Sequence, residues 1–224
     1  VEMIRQGVIG KIKEVYMWSN RPGAIESYRL KGPRPAKGDA VPAHLKWDLW
    51  LGTAPERPFA NGIYHPVKWR AWIDFGTGWG GDIGCHIGSA VFKALDLTAP
   101  LRVQAQVQPE WASDAARRHD TWPQWQIIEW EFPGTAFTAG KTLKATWLDG
   151  MKWPSEEVHK IFENCNWPGE AAIFIGENGG MLLPHTGGPQ FFPSQTYKKV
   201  ARPKLPGMDH YKGWVDACLA GDKE

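Results

Sequence analysis

Cysteine is scarce in this chain: three residues, Cys85, Cys165 and Cys218, are scattered through 224. An odd and widely spaced set gives neither a disulfide framework nor a zinc-binding pattern, so a stapled mini-fold and a zinc module are both excluded. No apolar run approaches the ~20 residues needed to cross a bilayer, and no membrane contact is expected. Charge of neither sign is concentrated. Twenty-six Lys and Arg face 24 Asp and Glu, a net +2 with no basic block, and nucleic acid is not an expected partner. Internal repeats and low-complexity tracts are missing too. What remains is an ordinary globular composition, 42% apolar and 22% charged, long enough for a sizeable core. Tryptophan is the excess, at 14 residues. Such rings usually pack cores, though some beside a polar cleft could stack on sugars.

Taken in order, VEMIRQG reads as the last turns of a helix closed by Gly7. The chain is therefore expected to begin inside an element, as a fragment or excised domain, with residues 1–10 ending a linking helix. Lys11–Trp18 is strand-like. Asn20–Pro42, rich in proline and glycine, is a long surface loop of the kind that covers a site. His44–Leu51 suits a short helix. Leu101–Gln108 alternates apolar and polar residues, a strand with one wet face. Glu110–Pro123 reads as a loop, Trp125–Phe132 and Leu143–Leu148 as strands, and Met151–Glu170 as irregular. Asn178-Gly179, between Ala171–Ile175 and Met181–Leu183, is a hairpin signal. Gly187–Pro206 is proline-rich. A last helix, capped by Asp209 and stopped by Gly221, carries Tyr211, Trp214, Val215, Cys218 and Leu219 on one face. Strands joined mostly by turns, without a βαβ rhythm, predict an α+β fold. Its form is one domain, 1–224, built on an open, mostly antiparallel sheet with helices on one face.

The chain is organised around Tyr64–Leu97. An aromatic and basic run (Lys68, Trp69, Arg70, Trp72) enters a glycine-rich turn, Gly76–Gly81, and a helix pattern opens at Asp82. Ile83, Ile87, Ala90, Val91 and Ala94 form its apolar face; Asp82, His86, Ser89 and Lys93 fall on the opposite stripe. A carboxylate and an imidazole one turn apart can touch, and a helix start favours anionic ligands. The same residues also fit a structural reading, with Asp82 as N-cap and His86 half-buried against it. Gly76–Gly81 matches G-x-G-x-x-G, but the preceding run carries Lys68, Arg70 and Asp74. A first Rossmann strand is buried on both faces, so the match is rejected and this chain alone is expected to bind no NAD(P). Glu129 and Glu131, on one strand face, suggest a glycosidase pair and have no supporting feature.

Several pieces together resemble the carboxy-terminal domain of the Gfo/Idh/MocA family of NAD(P)-dependent oxidoreductases, most nearly its bacterial branch. They are GVIGKIKEV (Gly7–Val15), WDLWLGTAPERPF (Trp47–Phe59), YHPVKWRAWIDFGTGWGGDIGCH (Tyr64–His86), ALDLTAP (Ala94–Pro100), FIGENGGML (Phe174–Leu182) and HYKGWVDAC (His210–Cys218). The resemblance implies a substrate and oligomerisation domain, preceded in the parent protein by a Rossmann domain that binds NAD or NADP. It implies that Asp82 and His86, as the family's D-x-x-x-H, face the nicotinamide, with His86 as acid/base. The family's other catalytic residue, a lysine after a Glu-Lys-Pro-like motif, belongs to the Rossmann domain and has no counterpart here. Lys68 and Arg70 could anchor a substrate hydroxyl or carboxylate, and Trp69 or Trp72 could stack on a ring.

The expected function is the substrate half of an enzyme oxidising a sugar, polyol or related secondary alcohol. An NAD-dependent glycoside hydrolase of the same family is one alternative. A non-catalytic carbohydrate-binding or oligomerisation module is another. Self-association through the sheet face away from the helices is expected, on the ground that so much tryptophan should leave that face apolar. Substrate identity, NAD against NADP, and compartment are not legible.

Overall fold

The computed structural model describes residues 1–21, 30–64, 66–163, 165–205, 207 and 209–221. Seven strands form a single sheet: β1 (Ile12–Ser19), β2 (Arg102–Val107), β3 (Gln126–Pro133), β4 (Thr142–Asp149), β5 (Glu170–Gly176), β6 (Gly180–Pro184) and β7 (Gln190–Phe192). Their spatial order is β2-β3-β4-β1-β5-β6-β7. Only β1 and β4 run parallel; every other neighbouring pair is antiparallel. The α+β, open-sheet expectation holds.

Alternation sorts each strand's side chains to two faces. On the first, Val15 and Met17 of β1, Ala145 and Trp147 of β4, and Ala172 and Phe174 of β5 meet a long central helix, Gly78–Leu95. That helix contributes Ile83, Ile87, Val91, Ala94 and Leu95, all buried. Each Ile, Val or Leu side chain so buried is worth about 1.5–3 kcal/mol. On the second face Trp18, Leu148, Ile173 and Leu182 are covered by Val158 and Phe162 and by the partly buried Trp153 and Trp167. The cover includes a short helix, Glu156–Ile161, inside the span expected to be irregular. Tryptophan is thus consumed here as packing rather than displayed. The uncovered part of this face is polar, with Arg102, Glu131, Lys144 and Glu14 side by side in register across β2, β3, β4 and β1.

Two other elements depart from expectation. Glu110–Pro123 is not plain loop, since it holds short helices at Pro109–Ala112 and Ala115–Asp120. Asp114 caps the second by accepting from the N–H groups of Ala116 and Arg117 at 3.0 and 3.1 Å. The edge strand β2 is wet on both faces, with Val103 54% exposed, because the central helix lies over β1, β4 and β5 and not over β2. Of the predicted long loop, residues 22–29 lie outside the described residues. The part that follows is tied down by Arg34, which pairs with Asp74 and Asp120. It closes over an aromatic cluster of Tyr64, Trp72, Trp47, Trp50 and Phe75. The carboxy-terminal helix, His210–Ala220, is capped by Asp209 and ended by Gly221 in the left-handed region, as expected. Its apolar residues Tyr211, Trp214 and Leu219 are exposed. No described helix is long and apolar enough to cross a membrane.

Candidate functional site

The central helix starts at Gly78, a full turn before the predicted Asp82. Gly78 has φ +68°, and a Cβ there would lie 3.0 Å from the Trp122 ring. A Cβ on Gly80 would lie 2.8 Å from Gln126 Nε2. These glycines let the first turn settle on Trp122 and on the ends of β3 and β4. They serve packing, and a 3₁₀ turn (Lys68–Ala71) rather than a buried strand precedes them. No phosphate cradle is formed by Gly76–Gly81. Asp82 is therefore not the N-cap, and neither Asp82 nor His86 stands at the orphan N–H groups of the helix start.

The expected contact between Asp82 and His86 is also replaced. Asp82 Oδ2 accepts from Arg70 Nε at 2.6 Å, both side chains being about three-quarters buried. Arg70 in turn lies over Trp69, its Cζ 4.3 Å from the ring centroid. Arg70 and Trp69 thus brace Asp82, and the guanidinium is committed before any ligand arrives. Trp72 is only 2% exposed and donates its indole N–H to the Ile63 carbonyl. Its ring is core packing, which corrects its assignment to stacking on a substrate. The side chain of Lys68, half-buried on the 3₁₀ turn, makes no hydrogen bond or ion pair among the described residues. His86 is exposed on the polar stripe, with no hydrogen bond between its side chain and that of Asp82.

The ring that meets His86 is one the sequence reading passed over. His185, just after β6, has its centroid 5.6 Å from that of His86. Its Nδ1 lies 2.8 Å from Glu170 Oε2. Glu170, first residue of β5, is nine-tenths buried; its Oε1 accepts from Ser19 Oγ at 2.7 Å and lies 3.4 Å from Arg21 Nε. Ser19, last residue of β1, accepts in turn from the indole N–H of Trp79 on the central helix. Burial pushes the Glu170 pKa up, but hydrogen bonds from His185 and Ser19 and the charge of Arg21 prevail and hold it below its ordinary value. A cleft of about 450 Å³ opens beside this group, lined by Arg21, Glu170, His185 and Thr186 between Pro168–Gly169 and Pro184.

Next to it, at the end of β4, Asp149 is fully buried. It accepts from Trp147 Nε1 at 2.8 Å and from Gln126 N and Nε2 at 3.1 and 2.9 Å. Burial outweighs those three bonds and pushes its pKa up to about 6. The ends of β1, β4 and β6 and the beginnings of β3 and β5 thus form one polar rim under the first half of the central helix. Among the described residues no group of three or more His, Cys, Asp or Glu side chains is arranged to hold a metal ion. The rim can instead donate, accept and move protons.

The family described as oxidoreductase family, C-terminal alpha/beta domain, of the Gfo/Idh/MocA group, matches the chain over residues 2–154. Those residues include Lys68–Trp72, Asp82 and His86, and end before Glu170 and His185. No curated protein matches the chain.

Proposed function

Because the chain belongs to the Gfo/Idh/MocA oxidoreductase family and carries its C-terminal α/β domain, we propose that it is the substrate-binding half of a nicotinamide-dependent oxidoreductase. The substrate class is a sugar, polyol or related secondary alcohol. The observation that carries this reading is an exposed imidazole, His86, whose ring centroid lies 5.6 Å from that of the cleft-lining His185, one turn after an Asp82 held in place by Arg70. Oxidising a secondary alcohol requires a base for the hydroxyl proton, and histidine titrates in the right range. NAD or NADP, held by the cofactor domain, would supply the acceptor for the hydride leaving the same carbon. Gly76–Gly81 packs the helix start against Trp122 and Gln126, and the cofactor is assigned to a separate Rossmann domain. This chain's part is to present His86 with Asp82 behind it, to admit the substrate beside Lys68, and to keep Arg70 and Trp69 as braces.

The test is His86→Ala in the protein joined to its cofactor domain, with turnover followed as NADH formation. Turnover should fall by about 10²–10⁴, the usual worth of a general acid/base, with folding and NAD affinity almost unchanged. Near-normal turnover at neutral pH would remove His86 from the chemistry.

The same reading includes self-association through the open part of the sheet. Its support is a mixed-charge surface, in which Lys144 lies 2.5 Å from Glu129 and 3.9 Å from Glu14. Interleaved charges of both signs can meet their own copy across a two-fold axis.

A further inference from the structure

We propose that Glu170 and His185 form a second proton-handling pair in this site, which takes the proton onward from His86. The inference rests on the reading of His86 as the base, and it concerns residues beyond the family match. Hydrogen-bond direction fixes the chemistry. An indole N–H only donates, so Trp79 donates to Ser19 Oγ, and the single Ser19 proton is left for Glu170. Glu170 is thus an acceptor at Oε1, and the Ser19 hydrogen bond and the Arg21 guanidinium 3.4 Å away favour its ionised form, an acceptor at Oε2 as well. His185 must carry its proton on Nδ1 to meet that oxygen at 2.8 Å. Its Nε2 is then the nitrogen left for the cleft and for His86, whose ring centroid is 5.6 Å away, a gap that one water can bridge.

Charge balance points the same way. When His86 takes a hydroxyl proton it has no carboxylate of its own, because Asp82 is spent on Arg70. Passing a proton from His86 to Nε2 of His185 puts the imidazolium beside Glu170, a carboxylate otherwise faced, among the described residues, by Ser19 and Arg21. No bond to carbon is made or broken in this step; one N–H is exchanged for another, and water in the cleft finally receives the proton. The pair is not needed to hold the hairpin together. The backbone N–H of His185 already donates to the Glu170 carbonyl at 3.0 Å, continuing the β5–β6 ladder.

Two measurements decide the matter. On this chain, ¹⁵N spectra of the imidazoles should show His185 protonated at Nδ1, and Glu170→Gln should abolish that preference while leaving His86 as it was. An Nε2–H tautomer, or indifference to Glu170→Gln, overturns the proposal. In the protein joined to its cofactor domain, a panel of hexoses and hexitols with NAD and NADP supplies the assay. His185→Gln should lower kcat roughly 10²-fold, the lower end for a proton-transfer group, with KM nearly constant and activity partly restored by added imidazole. If His86→Ala loses turnover and His185→Gln does not, the relay is wrong and the reading of His86 stands. If both variants keep turnover, the reading of the site falls with it. Loss of turnover in His185→Gln together with unfolding, and without imidazole rescue, makes His185 structural and also overturns the relay.

Discussion

Asp149 gives the sharpest quantitative test of the rim beneath the central helix. Its carboxyl is raised from the ordinary 3.8 to about 6 by burial. A carboxyl whose folded pKa lies above its unfolded one is stabilising while protonated, so folding stability from this group falls as pH rises through the window. The folded form holds the proton between about pH 4 and 6 and the unfolded form does not. A shift of about two pKa units corresponds to about 3 kcal/mol, of which about 2–3 kcal/mol should be lost between pH 4 and 7. Glu170 and Asp120, both held below their ordinary values, act with the opposite sign. The measurement must therefore be a difference between two proteins, so that those terms cancel. Asp149→Asn cannot ionise, but its amide must present N–H groups to donors from Trp147 and Gln126, an orphaned bond worth about 1–3 kcal/mol. At pH 7 the two effects nearly offset. The informative quantity is thus the slope and not the level. Urea unfolding, followed by tryptophan fluorescence at half-unit steps from pH 4 to 7.5, should show wild type losing stability relative to Asp149→Asn as pH rises. A flat difference, or one that rises, refutes the reasoning about this buried acid.

Calorimetric titration of this chain with NAD and with NADP should show no micromolar binding, since Gly76–Gly81 packs a helix instead of cradling phosphate; micromolar heat would reinstate the fingerprint. Gly80→Val should destabilise by about 1–3 kcal/mol in chemical unfolding, as expected for overpacking, because its Cβ would sit 2.8 Å from Gln126 Nε2; unchanged stability would mean that the helix start is not pinned there. Light scattering at tens of micromolar should find a dimer at low salt that weakens at ~1 M, where charges are screened over ~3 Å; a clean monomer at low salt removes the sheet face as an interface.

The sheet was legible because its signals are local. Alternation marked β2, Trp125–Phe132 and Leu143–Leu148 read as the strands that became β3 and β4, Asn178-Gly179 marked the β5–β6 turn, and Asp209 and Gly221 bracketed the last helix. The errors came where packing outside the segment decides. Spacing alone puts Asp82 beside His86, yet Arg70, twelve positions earlier, is the stronger partner because a charged fork lies against the same carboxylate. Nothing in the helix pattern announces it. Gly78 looked like part of a turn, and only the Trp122 ring against it explains why the helix begins there.

Glu170 and His185 are a different case, because the sequence did contain the means to find them. With Asn178-Gly179 fixing the turn, Ile175 pairs with Gly180, and counting outward pairs Ala171 with Pro184. The next step outward sets Glu170 against His185. A carboxylate opening an otherwise apolar strand, opposite an imidazole one register step past the end of the ladder, is a testable juxtaposition. It is also one that a search for helix motifs passes over. What no count across the hairpin supplies is the third element. His86 reaches His185 only because Ile83 and Ile87 seat the central helix over β1, β4 and β5, which turns its polar stripe toward the same end of the sheet. The site is therefore a product of the core. Two pairs of residues, each readable within its own element, become one group of titratable side chains through the packing of apolar residues between them.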